Sequence, residues 1–348
     1  MAARPKLETV AKEAGVSVAT ASQVMRGTGR ISDKTRKKVL EVARKLHYVP
    51  NARAASMRSG ENREIGFTIH QISNPFNAEV ISGVSDLLED EGYLVSVLDS
   101  QDDPERQRRQ LEAFIRGSRG GLLLVPAHDT PPSTFELLRN HKIPTVTFLR
   151  REGATDFDHV GILNSDATNA ATRYLADLGH RRIAFLGGVA NVEVRNQRIA
   201  GYKSALAETG LNNAIVWGSC DDKLSGLKEM IALHEAHPEV TGVVCNGDMV
   251  AIGASLALTR MGLEPGKDIS VIGFDDIKDA AVAVPPLTTM AVSPYRLGRR
   301  LARALLERIA DPNAPVAISE TSAELIVRET TGACQATTGK KSEVNEIK

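Results

Sequence analysis

From residue 64 onward, short apolar runs alternate with amphipathic stretches of helical length, and the rhythm starts over near Asn164. The first series reads IGFTIH, a helix at 78–91, YLVSVLDS, a helix at 104–116, GLLLVPA and IPTVTFL. The second reads RIAFLGG, a helix at 197–209, AIVWG, a helix at 225–234, VTGVVCN, a helix at 249–261 and ISVIGFDD. Strands that are apolar on both faces need helices on both sides, which is the condition of a parallel sheet built from βαβ units. The repetition predicts two doubly wound α/β lobes. Their crevice, outside the carboxyl ends of the strands, is the expected ligand site.

The first fifty residues follow a different pattern. Leu7, Val10, Ala11 and Ala14 fall at i, i+3, i+4 and i+7 and make one apolar helical face. Gly15 and Val16 break it, and Ser17 is suited to cap a second helix through Met25 whose Ala21 and Val24 face the first. After Gly27-Thr28-Gly29, Ser32 caps a third helix striped with Val39, Leu40, Val42, Ala43 and Leu46. A three-helix head is expected, closing at Tyr48-Val49-Pro50. The stretch 51–60 has helical spacing but little apolar mass, so it reads as a linker that folds on contact. The expected units are a head at 1–49, a linker at 50–62, a sensing body at 63–333 and a polar, disordered tail at 334–348. Within the body, one lobe takes about 63–163 and 293–320, and the other about 164–292 and 321–333.

Charge separates these units. Lys and Arg equal Asp and Glu over the 348 residues, yet the first sixty carry 13 basic and 4 acidic side chains, a net +9 that the rest balances. A basic head on an acidic body suits contact with a polyanion through the head alone. Cys220, Cys245 and Cys334 lie too far apart for a CxxC clasp and suggest no disulfide framework, which fits a reducing cytoplasm. No apolar run is long enough to span a membrane, and residues 1–12 lack the apolar core of a secretory signal. A cytoplasmic protein without a membrane partner is expected.

The segment Val10-Ala11-Lys12-Glu13-Ala14-Gly15-Val16-Ser17-Val18-Ala19-Thr20-Ala21-Ser22 closely resembles the signature V-A-x-x-A-G-V-S-x-x-T-V-S of the lactose/galactose repressor (LacI/GalR) family. Leu46 to Asn51, Leu178 to Phe185, Arg198 to Tyr202, Val271 to Asp276 and Pro286 to Thr289 resemble further family motifs in the family's order. The resemblance runs from about Leu7 to Thr331. It implies a helix-turn-helix head and a periplasmic-binding-protein-like sensor, a homodimer on a palindromic double-stranded DNA operator, a small-molecule effector in the cleft, and no cofactor or catalysis. It places Val18, Ala19 and Gln23 against base edges in the major groove, Gln suiting adenine and Val or Ala the thymine methyl. Ser17, Thr20, Ser22, Ser32 and Thr35 are hydroxyls suited to phosphate oxygens. In the linker, Asn51, Ala54 and Met57 resemble a hinge helix that meets the minor groove, with Met57 as the wedging side chain.

For the effector, the resemblance points to Arg198 and Asp275, a planar donor fork and an acceptor carboxylate, and to Phe76 as an aromatic wall. Three positions depart from the family pattern: Gly247-Asp248 stands where Asn-Asp is frequent, with Asn246 one place early, Leu149 stands where sugar-binding members often have Asp, and Arg150 follows it. Losing an acidic acceptor while keeping arginines favours an acidic or less hydroxylated ligand over a plain neutral sugar, within an effector class of sugar, sugar acid or related acid, and Arg150 and Asn246 join the effector-contact set. Two competing readings are a solute-binding protein without regulatory DNA binding, against which the basic head counts, and an α/β enzyme with an accessory DNA domain. No phosphate-loop, zinc-protease, nucleophile-elbow or Cys/His metal pattern supports the enzyme. His234 and His237 read as a solvated helix end rather than metal ligands.

Overall fold

The computed structural model describes residues 5–49, 62–117 and 120–335. The chain divides into two compact units, Met1–Asn62 and Arg63–Lys348. The linker residues Asn51, Ala54 and Met57 lie outside the described residues.

In the head, α1 (Leu7–Ala14), α2 (Val18–Met25) and α3 (Asp33–Lys45) enclose a small core of Val10, Ala11, Ala14, Ala21, Val24, Val39 and Ala43. The turn between α1 and α2 has a local cause. Gly15 ends α1 in the left-handed conformation (φ 65°, ψ 40°), where a side chain would be strained, and the Ser17 hydroxyl accepts from the Thr20 amide at 3.0 Å to start α2. The Ser32 hydroxyl caps α3 in the same way, accepting from Thr35 N at 3.3 Å. Mostly small core residues let the three helices approach closely, which gives so short a chain a defined shape.

Among the described residues, the body holds two six-stranded sheets. The first is ordered β11-β5-β4-β3-β1-β2, from β1 (Glu64–Ile69), β2 (Leu94–Asp99), β3 (Gly121–Leu124), β4 (Thr145–Phe148), β5 (Asp158–Ile162) and β11 (Ile318–Thr321), and every pairing is parallel. Helices α4 (Pro75–Asp90), α5 (Pro104–Arg116), α6 (Pro132–Asn140) and α12 (Pro294–Ala310) belong to this lobe. The second sheet runs β12-β10-β9-β8-β6-β7, from β6 (Ile183–Leu186), β7 (Ile215–Trp217), β8 (Gly242–Cys245), β9 (Ser270–Asp275), β10 (Thr288–Ala291) and β12 (Glu324–Ile326). Its helices are α7 (Asn164–Asp177), α8 (Glu193–Glu208), α9 (Lys223–Ala236), α10 (Asp248–Arg260) and the short α11 (Lys278–Val282). Here β12 pairs antiparallel with β10, a departure from the all-parallel expectation. The chain passes from one sheet to the other three times: after β5, after β10 and between β11 and β12.

Packing sets lobe geometry tightly. A Cβ on Gly83 of α4 would stand 2.0 Å from the Tyr295 carbonyl oxygen, and one on Gly298 of α12 would stand 2.1 Å from that of Val80, so these two helices cross in backbone contact. Helix boundaries differ from the periodicity where caps or polar faces intervene. Asn74 accepts from Phe76 N at 3.0 Å and, with Pro75 next, starts α4 three residues before the expected 78. Helix α8 begins at Glu193, four residues before the expected 197.

Candidate functional site

In the head, the turn presents Ser17, Val18 and Ala19 as exposed side chains at the start of α2, with Thr20, Ser22 and Gln23 half-buried behind them. Ser17 Oγ and Thr20 Oγ1 are 2.9 Å apart, as are Ser32 Oγ and Thr35 Oγ1, so all four hydroxyls are tied into caps. The Gln23 amide lies along the Gly29 backbone, where a Cβ on Gly29 would meet its Oε1 at 2.9 Å. Val18 is an apolar side chain left 43% exposed.

The body's cavity, about 470 Å³, opens between the two lobes where the strands end. The first lobe contributes His70 after β1, Asp102 after β2 and Leu149 and Arg150 after β4. The second contributes Arg195 and Arg198 from α8, Asp221 after β7, Asn246 after β8 and Asp275 at the end of β9. Phe76, at the start of α4, stacks on Phe148 with centroids 6.3 Å apart and planes 4° from parallel. The five residues expected at the effector site, Phe76, Arg150, Arg198, Asn246 and Asp275, therefore line one cavity.

Their bonds differ. Arg198 donates through Nε to Asn164 Oδ1 (2.9 Å) and through Nη1 to the Asn246 carbonyl, lies over the Phe274 ring at 3.6 Å, and has Nη2 3.9 Å from Asp275 Oδ1. It is a fixed wall. Asn246 donates to Asp221 Oδ1 at 2.9 Å, and its own Oδ1 is buried without a partner among the described residues. Arg150 grips Asp102 with both ends of its fork, Nη1 to Oδ1 at 2.5 Å and Nη2 to Oδ2 at 3.1 Å, and Nη1 also donates to the Pro126 carbonyl. Asp248 faces inward instead: it accepts from Thr289 Oγ1 (2.5 Å) and from Ile277 N (2.9 Å), pinning α10 to the segments around β9 and β10.

Burial governs the ionisation of this cluster. Desolvation pushes Asp275 up to about 7 despite the opposing charge of Arg198, and it raises Asp221 as well. Asp248 is driven well above the usual carboxylate range by burial and then by Asp275. Burial also opposes ionisation of Asp102, but the hydrogen bond and charge of Arg150 outweigh it and hold the carboxyl low. His70, lowered to about 4 by burial and then by Arg150, is neutral, and its Nδ1 has no partner among the described residues. Desolvation lowers Arg195 and Arg198.

Among the described residues, two glutamates bond across the lobes. Glu193 Oε2 accepts from the amides of Arg151 and Glu152 at 2.8 and 2.9 Å, and Glu79 Oε1 accepts from Lys278 N at 3.2 Å. Sequence reasoning missed Glu193, along with His70, Asp102, Arg195 and Asp221. Only Arg195 carried a usable signal, since it stands three residues before Arg198 on one helix face. Among the described residues, no group of three His, Cys, Asp or Glu side chains could hold a metal ion, and no helix is long and apolar enough to cross a membrane.

Residues 6–51 match the family model described as bacterial regulatory proteins, lacI family, and residues 172–331 match a periplasmic binding protein-like domain. The chain is 32% identical over 329 residues to the HTH-type transcriptional repressor PurR of Vibrio campbellii, covering 93% of this chain and 98% of that one. It is 31% identical over 311 residues to the ribose operon repressor of Haemophilus influenzae, covering 88% and 92%. Among solved structures, the transcriptional regulator CelR–cellobiose complex is 28% identical with a TM-score of 0.71, covering 94% of this chain and all of that one. The lac repressor dimer bound to operator and the anti-inducer ONPF shares the fold, with a TM-score of 0.84 at 24% identity over 95% of this chain and all of that one.

Proposed function

Because the chain belongs to the lacI family of bacterial regulatory proteins, we propose that it is a cytoplasmic, non-enzymatic repressor. It binds a palindromic operator as a homodimer, and a sugar, sugar acid or related acid in the cleft sets its DNA affinity. The observation that carries this reading is the union in one chain of a helix-turn-helix head, within a net +9 segment, and a cavity where charged side chains from two lobes converge. A two-fold protein matches a two-fold site, so each head reads one half-site. Val18, Ala19 and Gln23 meet base edges, the capped hydroxyls and helix N-termini at Ser17 and Ser32 set register on phosphates together with Thr20, Ser22 and Thr35, and Asn51, Ala54 and Met57 act in the minor groove.

Phe76, Arg150, Arg198, Asn246 and Asp275 hold the effector. Its binding favours the closed arrangement in which Glu193 engages the amides of Arg151 and Glu152. A typical coupling of this kind changes DNA affinity about 5- to 150-fold. The test selects bound fragments from the organism's own DNA with the full chain and follows affinity against salt. A recovered palindrome whose affinity falls steeply with salt supports the reading. No enrichment, together with retained ligand binding, sinks it in favour of a solute-binding protein. Arg198→Ala is expected to abolish the effector response while leaving DNA binding intact.

A further inference from the structure

We infer that the effector is a polyhydroxy acid whose acid group sits between the open guanidinium edges of Arg150 and Arg195 while its hydroxyls face Asn246 and Asp275. This inference rests on the cleft being the effector site. The cavity's three arginines are not equivalent. Arg198 is engaged by Asn164, Asn246 and Phe274. Arg150 presents only its far end to Asp102, and its Nε–H has no partner among the described residues. Covalent geometry puts the second Nη2 hydrogen on the same side as that Nε–H, so the two form a second, parallel pair of donors. Arg195 is the reverse case. Its Nε donates to the Gly187 carbonyl at 2.8 Å, and both its terminal nitrogens are without partners among the described residues. Each of these two residues is only 8% exposed. Two buried forks therefore face the cavity, one from each lobe, each matching the two oxygens of a carboxylate.

Charge balance points the same way. Arg150 is neutralised by Asp102, a firmly ionised partner. Arg195 has no such partner: the carboxylate that acts on it is Asp221, whose own ionised form burial disfavours. Asp221 lines the same cavity as the three arginines, accepts from Asn246 at 2.9 Å, and feels the charges of Arg150 and Arg198. An anion arriving there supplies the missing countercharge and ties a first-lobe arginine to a second-lobe arginine, so its charge contributes directly to closure. The opposite need is met nearby, since the unpartnered Asn246 Oδ1 and the Asp275 carboxyl accept hydrogen bonds from hydroxyls. A neutral polyol would satisfy the acceptors but leave the Arg195 fork without its anion.

The test uses the full chain and matched probes: D-gluconate against D-glucitol, D-galacturonate against D-galactose, and D-glycerate against glycerol, by thermal shift and then calorimetry. At least one acid is expected to bind while its neutral counterpart does not. Arg195→Gln is the primary variant because it disrupts one hydrogen bond in the free protein, whereas Arg150→Gln strands Asp102. Arg195→Gln should weaken the acid about 10- to 100-fold, the range of a lost charge-assisted contact, with partial recovery in Arg195→Lys. An unchanged ligand-free unfolding midpoint shows that the variant is folded. Equal binding of acid and neutral partner, equal acid binding by wild type and Arg195→Gln, or binding by none of the acids overturns the assignment. Operator binding without ligand, measured on the same preparations, reports separately on the repressor reading.

Discussion

Replacing Asp275 with Asn should make the protein more stable and deaf to its effector, with a pH signature that identifies the cause. Asp275 ends β9 with 8% exposure, and its nearest cation, Arg198, stays at 3.9 Å. Its carboxyl titrates near 7 rather than 3.8, so the folded chain resists its ionisation. At about 1.4 kcal/mol per tenfold, that resistance reaches at most about 4 kcal/mol. Below pH 3.8 the group is protonated in folded and unfolded chains alike and contributes nothing. Between there and about 7 the folded chain keeps a proton that the unfolded chain releases, so stability falls as pH rises and then levels off. Asn stands in for the protonated carboxyl at every pH. The variant's advantage should therefore be about 2 kcal/mol near pH 5 and up to about 4 kcal/mol near pH 8, or as much as about 8 °C in midpoint at the higher pH. Urea unfolding followed by the single tryptophan, Trp217, reports the body alone. A variant less stable than wild type by the same amount at both pH values would refute the reasoning, because it would mean that Asp275 is satisfied as an ion.

Three further outcomes are expected. Glu193→Ala removes an acceptor shared by two backbone amides across the cleft and should weaken effector binding about 5- to 30-fold by calorimetry without altering effector-free DNA binding; an unchanged Kd would show that the contact does not hold closure. Gly298→Ala puts a Cβ 2.1 Å from the Val80 carbonyl oxygen and 3.0 Å from Val84 N, so α4 and α12 must separate at a cost of about 2 kcal/mol or more; an unchanged thermal midpoint would refute that crossing. Met57→Gly should weaken specific operator binding while leaving the effector affinity of free protein nearly unchanged, and equal operator affinity would remove the proposed wedge.

The sequence made the head and most strands legible because their apolar residues keep strict periods. It failed where polar side chains fill interior positions. Strand β5 carries Asp158, which binds Arg308 at 2.6 Å, and His159, whose Nδ1 lies 2.9 Å from Thr147 Oγ1, so no apolar run marks it. The first turn of α8 looks like loop because Glu193 reaches across to the other lobe and Arg195 lines the cavity. In the site, motif resemblance located residues that now share one cavity, but it was silent on their partners. Asp102 lies 48 residues from Arg150 and Asp221 lies 25 from Asn246, and only the ends of folded strands bring such pairs together.

The last two strands have a consequence for how the chain is made. β11 completes the first sheet beside β5, and β12 completes the second beside β10. β5 ends at Ile162, whereas its neighbour begins at Ile318, so at typical bacterial elongation rates its edge waits on the order of ten seconds or more for a partner. Neither lobe can finish on the ribosome before the other is almost wholly translated. A chain cut short before Ile318 would carry an uncovered strand in each sheet, an invitation to pair with its neighbours. The late strands thus make nearly full-length synthesis the condition for two closed lobes, and so for a sensor able to respond.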